Sequence, residues 1–174
     1  MLKEFNVLAS TSRGFEKYAR RELRFLFERI GDASPEIERS GVSGLIVIKA
    51  NLNTFEVIRK LRALLIEVPY EFRFTLRVMP IERVVNTDLD MIQQTVTDLS
   101  SKIGETETFR ITVEKRHTAL HSNEIIEKVA MNIKRKVNLS HPDKIVLIEI
   151  VGGSTGISII QPEELLSVQK EKLL

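Results

Sequence analysis

The strongest constraint in this sequence is the alternation of two kinds of apolar pattern within the first eighty residues. Apolar residues recur at helical spacing from Phe15 to Ile30 and again from Val57 to Leu65. Short apolar runs stand before, between and after these stretches, and the last run alternates with polar residues from Tyr70 to Val78, as in a half-buried strand. Gly41 and Gly44 bracket a turn between two of the runs, which predicts a hairpin.

This order of strand, helix, strand, strand, helix and strand predicts a ferredoxin-like βαββαβ domain over residues 1–80. The second half continues the mixture of strands and helices. Thr87 and Asp90 resemble a capping box at a helix start, and the nearly continuous apolar run from Lys144 to Val151 predicts a central strand. The glycine-rich stretch at 152–156 predicts a hairpin turn rather than a phosphate loop. We therefore predict an α+β or α/β fold with a second domain over residues 81–174.

Composition excludes several classes of function. The chain has no cysteine, so a disulfide scaffold, a thiolate zinc site and a cysteine nucleophile are excluded. No apolar run approaches the roughly 20 residues that span a bilayer, and the first residues lack a signal-peptide pattern, so we expect a cytoplasmic protein without a membrane partner. Residues 1–80 carry 14 Lys and Arg against 10 Asp and Glu, whereas the remainder is slightly acidic. This asymmetry indicates two units with different surfaces.

Three ordered motifs mark the second half. The predicted strand Phe109–Arg116 ends in a basic pair, the segment His121–Ile126 opens a helix, and Val137–Asp143 forms a turn that leads into the next strand. Over about residues 88–161, this succession resembles the THUMP domain of RNA-modifying enzymes. A ferredoxin-like unit directly before it matches those proteins as well. One departure is Asn138, where the family usually has aspartate.

The resemblance implies that the two domains together bind tRNA while an attached or partner catalytic domain performs the chemistry. The sequence has no methyltransferase glycine loop, pyrophosphatase P-loop or pseudouridine synthase domain. It is therefore most similar to the stand-alone THUMP proteins that bind tRNA for the RNA cytidine acetyltransferase, which makes N4-acetylcytidine. The segments Gly156–Gln161 and Leu166–Gln169 fit that branch. We expect a non-catalytic tRNA-binding adaptor that needs no cofactor and no metal.

Two other functions stay open. The chain is alternatively a subunit of another split tRNA-modification enzyme, for thiolation or methylation, to which it contributes binding or catalytic residues. It is otherwise a ferredoxin-like module that binds a small ligand or a protein, because this fold serves many purposes.

Phosphate binding needs cations held together on one surface, because each neutralised phosphate releases counterions. The first helix carries four cations on the side away from its apolar stripe, although ion pairs with neighbouring glutamates explain them equally well. Arg73 and Arg77 fall on one side of the predicted fourth strand, where either RNA or a structural partner is expected. The full set of predicted RNA-binding residues is Arg13, Lys17, Arg20, Arg21, Arg24, Arg73, Arg77, Lys115, Arg116, His121, Ser122, Lys128 and Arg135.

In the second domain, Lys115 and Arg116 end a strand just before a helix that begins at Ser122, and a strand end facing a helix N-terminus predicts an anion site. Arg116→Ala is expected to weaken tRNA binding without unfolding the protein; the alternative is that Arg116 pairs with Glu114 or Glu149. Lys128 and Arg135 share a predicted helical face. These cations either extend the RNA-binding surface or interact favourably with the negative C-terminal end of the helix dipole.

Base stacking is expected to contribute little. The chain has only Tyr18, Tyr70 and eight phenylalanines, and most of these fit apolar core stripes, so we expect recognition by shape and phosphate, with a few loop contacts. His117 and His121 stand four residues apart in a loop without a nearby carboxylate pair, so we predict no metal site there.

Overall fold

The computed structural model describes residues 1–173 and divides into two compact units. The first unit comprises Met1–Ile81 together with the segment from Glu163 onward, and the second comprises Glu82–Pro162. In chain order the elements are β1 (Val7–Ser10), α1 (Glu16–Arg29), β2 (Glu36–Arg39), β3 (Leu45–Lys49), α2 (Thr54–Glu67), β4 (Arg77–Pro80), β5 (Arg83–Asn86), α3 (Leu89–Leu99), β6 (Thr108–Glu114), α4 (Ser122–Ala130), β7 (Lys136–Val137), β8 (Lys144–Val151), β9 (Ser154–Ile160), β10 (Leu166–Ser167) and α5 (Val168–Lys172).

The first six elements confirm the predicted ferredoxin-like order. They form an antiparallel sheet in which β1 lies between β3 and β4, and β2 pairs on the far side of β3. The side chain of Asn53 caps α2 by accepting the backbone N–H groups of Phe55 and Glu56. Apolar residues of both helices, such as Phe27 of α1 and Leu61 of α2, are fully buried in one core against the sheet. Burial of each such side chain contributes about 1.5–3 kcal/mol.

The segment before β4 departs from the sequence prediction. Pro69–Glu71 form a 3-10 turn, and the strand begins only at Arg77 rather than near Tyr70. The reason is a competing acceptor, because the carboxylate of Glu22 on α1 takes the backbone N–H groups of residues 73–75. Those groups are therefore not available for a strand ladder. The strand predicted from alternating polar and apolar residues is therefore wrong over residues 70–76.

The C-terminal segment corrects the predicted domain boundaries. β10 pairs with β4, with Leu166 opposite Val78, and so adds a fifth strand to the first sheet. Leu166 and Val168 are buried in the core of the first unit. The segment from Glu163 onward therefore groups with the first unit and not with residues 81–162. A two-residue strand is too short to show a period in the sequence.

The second unit is a mixed sheet in the order β5-β9-β8-β6-β7, covered by α3 and α4. β8 is central, as predicted, pairing parallel with β6 and antiparallel with β9. Gly152, at φ 59°, lies in the turn of the β8–β9 hairpin, as predicted for this glycine-rich stretch. The short strands β5 and β7 were not predicted.

The start of α3 differs from prediction. Asp88 rather than Thr87 caps α3, accepting the N–H of Met91, while the Thr87 hydroxyl donates to the carbonyl of Gly152. His121 occupies the N-cap position of α4, without a side-chain capping bond, and Ser122 is the first helical residue. The N-terminus of α4 therefore has no side-chain cap.

Replacing Leu166 by alanine tests the role of the C-terminal strand. Leu166 is 1% exposed, so Leu166→Ala is expected to lower the free energy of unfolding by about 2–5 kcal/mol through lost burial and a residual cavity. Urea titration followed by circular dichroism measures this. The matched control is Leu173→Ala, whose side chain is 88% exposed and whose loss changes stability by no more than about 0.5 kcal/mol. Equal effects of the two substitutions would contradict the assignment of this segment to the first core.

Candidate nucleic-acid interface

The exposed side of α1 carries cations that have no carboxylate partner. Lys17, Arg21 and Arg24 are exposed, and none of them forms an ion pair within 4.0 Å among residues 1–173. Two of the neighbouring glutamates are engaged elsewhere: Glu16 accepts the N–H of Gly44 at 2.7 Å, and Glu22 accepts the N–H groups of residues 73–75. The third, Glu28, is exposed and forms no ion pair within 4.0 Å with a described residue. The ion pairs considered from the sequence are thus absent at these three positions in the described part of the chain.

Arg20 differs from the other three predicted RNA-binding cations of α1. It is half-buried, and its Nη2 donates to the backbone carbonyl of Ile37 on β2 at 3.3 Å. Its Nε is buried and has no hydrogen-bond partner among the described residues. Arg20 therefore lies against β2 instead of sharing the exposed surface.

The loop before α1 is fixed by a close approach of two turns. Gly44 has φ +77°, and a Cβ there would lie 2.8 Å from the carbonyl oxygen of Thr11, so only glycine fits. The N–H of Gly44 and the positive charge of Arg39 lower the pKa of Glu16. Arg13, in the turn between β1 and α1, is exposed. A cleft of about 350 Å³ here is lined by Arg39, a cation that was not singled out from the sequence.

Arg73 and Arg77 do not share a strand face. Arg73 is exposed in the bend before β4, where its Nε lies 3.4 Å from the carbonyl oxygen of Tyr70. Arg77 is half-buried as the first residue of β4, paired with Ser10 and Ser167 on the neighbouring strands. Arg73 instead joins Arg21 in lining an open cleft of about 400 Å³.

The same region exposes aromatic rings that were expected in the core. Phe15 is 44% exposed, Tyr18 48% and Phe25 40%. The ring of Phe74 stacks on Tyr18 at a centroid distance of 5.3 Å and on Phe15 at 5.7 Å. The expectation that Phe15 and Tyr18 belong to the core stripe of α1 is therefore wrong, whereas Phe25 was not part of that predicted stripe. Helical spacing shows which residues share a side of the helix, but not how far burial extends around it.

In the second unit, the loop before α4 brings cations to an uncapped helix N-terminus. Lys115 Nζ donates to the carbonyl of Leu120 at 3.1 Å, which closes the loop, and His117 adopts φ 57° within it. His121 is exposed at the N-cap position. Arg116 Nη1 lies 2.8 Å from Oε2 of Glu149, whose side chain is fully buried. The structural alternative considered for Arg116 is therefore present.

The cations further along this unit divide into engaged and exposed residues. Lys128 Nζ lies 3.1 Å from Asp90 on α3. Arg135 Nε donates to the carbonyl oxygens of Ile103 and Gly104, which ties two loops together. Lys134 and Lys136 beside it are exposed and form no ion pair with another described residue.

Residues 1–173 contain no cluster of three or more His, Asp or Glu side chains arranged to hold a metal ion. None of the helices described over that range has the length and apolarity needed to cross a bilayer.

Comparison with known proteins gives a family match and several structural neighbours. Residues 86–160 match the family model of the THUMP domain. "Uncharacterized protein MJ0421" of Methanocaldococcus jannaschii is 24% identical over 170 residues, which cover 95% of this chain and 43% of the relative. PH1313 from Pyrococcus horikoshii Ot3 is 21% identical with a TM-score of 0.66, covering 94% of this chain and 55% of that one.

Two further solved structures share the fold. TrmN from Thermus thermophilus is 13% identical with a TM-score of 0.55, covering 90% of this chain and 46% of that one. A 4-thiouridine synthetase in complex with RNA and with bound ATP is 16% identical with a TM-score of 0.54, covering 94% and 42%. The chain thus spans about half the length of the proteins it matches. At these identities the structural likeness concerns the fold.

The Arg116–Glu149 pair predicts that Arg116→Ala reduces stability, in contrast to the expectation from the sequence. Removing the guanidinium leaves a carboxylate that is fully buried, and breaking such a pair costs about 3–5 kcal/mol. Urea titration measures the loss. The double variant Arg116→Ala, Glu149→Leu recovers part of it, because no charge then stays buried. Lys115→Ala, which removes an exposed neighbouring cation, is the control; an Arg116→Ala variant as stable as this control would show that the pair contributes little.

Proposed function

Since the second unit of this chain contains a THUMP domain, preceded in sequence by a ferredoxin-like unit, we propose that the protein binds tRNA and presents it to a separate modification enzyme. The enzyme we propose is the RNA cytidine acetyltransferase that forms N4-acetylcytidine. In this proposal the chain is a non-catalytic adaptor, it acts in the cytoplasm, and it contributes binding surface and orientation to the reaction.

The observation that carries the proposal is the unneutralised positive surface of α1. Lys17, Arg21 and Arg24 lie exposed on one helix side without carboxylate partners among the described residues. Charges left in this state attract the phosphate backbone over a distance of about one Debye length, and each phosphate they neutralise releases counterions. A second candidate anion site is the N-terminus of α4, whose backbone N–H groups have no side-chain cap and where His121 is exposed at the N-cap position. Lys115 belongs to the preceding loop, where its Nζ donates to the carbonyl of Leu120.

RNA is the polyanion that the comparisons favour. One of the structural neighbours, the 4-thiouridine synthetase, was solved as an RNA complex. The similarity to that protein covers nearly all of the present chain, so both units have counterparts in it. This supports RNA as the ligand of the chain.

Binding to unmodified tRNA tests the proposal directly. The chain is expected to bind with micromolar or tighter affinity at about 50 mM salt and to lose affinity steeply as salt rises. Replacing Lys17, Arg21 and Arg24 together by alanine lowers the slope of log K against log salt by about 2–3, because up to three phosphate contacts are lost. Fluorescence anisotropy with labelled tRNA over a salt series measures both quantities.

The matched control for this experiment removes one exposed cation from another helix. Arg59 lies exposed on α2, and Arg59→Ala is expected to leave the affinity and the salt slope unchanged. Absence of tRNA binding by the wild-type chain at about 50 mM salt would refute the proposed function.

Reconstitution tests the identity of the enzyme. We expect that purified chain added to the RNA cytidine acetyltransferase, acetyl donor and unmodified tRNA increases N4-acetylcytidine, measured by mass spectrometry of nucleosides. The chain with donor and tRNA alone is expected to produce none, because its role is binding. Stimulation of a thiolation or methylation reaction instead would replace the acetyltransferase as the partner, and turnover by the chain alone would contradict the adaptor role.

A further inference from the structure

We propose that the exposed aromatic cluster of Phe15, Tyr18 and Phe74, together with Arg21 and Arg73, binds unpaired RNA bases by stacking. The proposal rests on the proposed function, since it assumes that the bound polyanion is RNA, and it adds a mode of recognition. Cations on α1 would hold the phosphates, while the rings would bind bases that are not in a duplex.

The three rings form one continuous apolar surface. Phe74 is central, with its centroid 5.3 Å from that of Tyr18 and 5.7 Å from that of Phe15, and both pairs are inclined by only about 25°. Tyr18 is 48% exposed and Phe15 44%, so two members of the set face solvent. Phe15 and Tyr18 are tilted by 48° to each other, and each lies nearly parallel to the half-buried ring of Phe74. The solvent-facing sides of Phe15 and Tyr18 are the surfaces on which bases would stack.

The position of Phe74 is fixed by backbone bonds rather than by chance packing. Glu22 accepts the N–H of Arg73 at 2.6 Å, that of Phe74 at 3.0 Å and that of Thr75 at 2.7 Å. Glu22 and Tyr18 lie one helical turn apart on α1, so one helix carries both the ring and the group that anchors its partner. The Phe74 ring is therefore already ordered before a ligand binds, which reduces the conformational entropy that the protein loses on binding.

The charges around the rings favour a nucleotide over an apolar peptide. Arg21 and Arg73 line the cleft of about 400 Å³ beside Tyr18 and Phe74, and neither guanidinium has an ion-pair partner among the described residues. A guanidinium binds a phosphate oxygen or stacks on a base plane. Single-stranded RNA consists of flat bases joined by anionic phosphates. It is therefore complementary to exposed rings that are flanked by arginines without ion-pair partners.

The test uses a short, unstructured oligoadenylate that carries one 2-aminopurine, whose fluorescence falls when it stacks on an aromatic ring. The wild-type chain is expected to bind it and to quench the probe. Tyr18→Leu keeps apolar bulk but removes the ring, and is expected to bind roughly fivefold to a hundredfold more weakly, with quenching reduced. Tyr18→Phe keeps the ring and is expected to retain both affinity and quenching.

A second control replaces a tyrosine outside the cluster. Tyr70 is 64% exposed and does not line the cleft, so Tyr70→Leu is expected to behave as wild type. Circular dichroism and urea titration establish that each variant is folded. If the wild-type chain binds tRNA but Tyr18→Leu binds the oligoadenylate as tightly as wild type, the stacking proposal is wrong while the proposed function stands. That result would favour a protein partner as the ligand of the aromatic cluster. Failure of the wild-type chain to bind tRNA would instead remove the proposed function itself.

Discussion

The carboxylate of Glu22 is the group on which the functional surface of the first unit depends. This carboxylate accepts three successive backbone N–H groups, those of residues 73–75. It thereby holds the segment before β4 against α1 and keeps it out of the strand. The same bonds place Phe74 on Tyr18 and engage the Glu22 carboxylate with backbone donors. A hydrogen bond to a charged group contributes about 1.5–3 kcal/mol, so a set of three is a substantial local constraint. The position of the Phe74 ring beside Tyr18 therefore follows from this one side chain.

Much of the architecture was predictable because it depends on the periodic spacing of apolar residues over short stretches of sequence. The βαββαβ order, the central position of β8 and the β8–β9 hairpin follow from apolar spacing and glycine placement over ten residues or so. The start of β4 was not predictable in this way, because Glu22 lies on a different element and competes for the backbone N–H groups of residues 73–75 from far along the sequence. β10 was not predicted for a related reason. It has only two residues, too few to show an alternating pattern, and its pairing partner β4 is far away in sequence.

The candidate site was predictable in residue type but not in availability. The basic residues of α1 and of the loop before α4 were identified, yet Arg20, Arg116 and Arg135 turn out to bind a β2 carbonyl, a buried carboxylate and two loop carbonyls. Long cationic side chains reach several acceptors, and the choice among them depends on the tertiary fold. The exposed rings show the same limit, because Phe15 and Tyr18 continue the apolar spacing of α1 beyond the part of the helix that the sheet covers.

The pairing of β10 with β4 bears on how the protein is made. Residues of the second unit are translated after β4 and before β10, so a growing chain has completed its first four strands long before the fifth leaves the ribosome. During that interval the outer side of β4 displays unsatisfied backbone donors and acceptors, which is where nascent chains are prone to associate with one another. Completion of the first sheet therefore comes after synthesis of the whole second unit, and translation speed through that unit sets how long the edge of β4 stays unpaired.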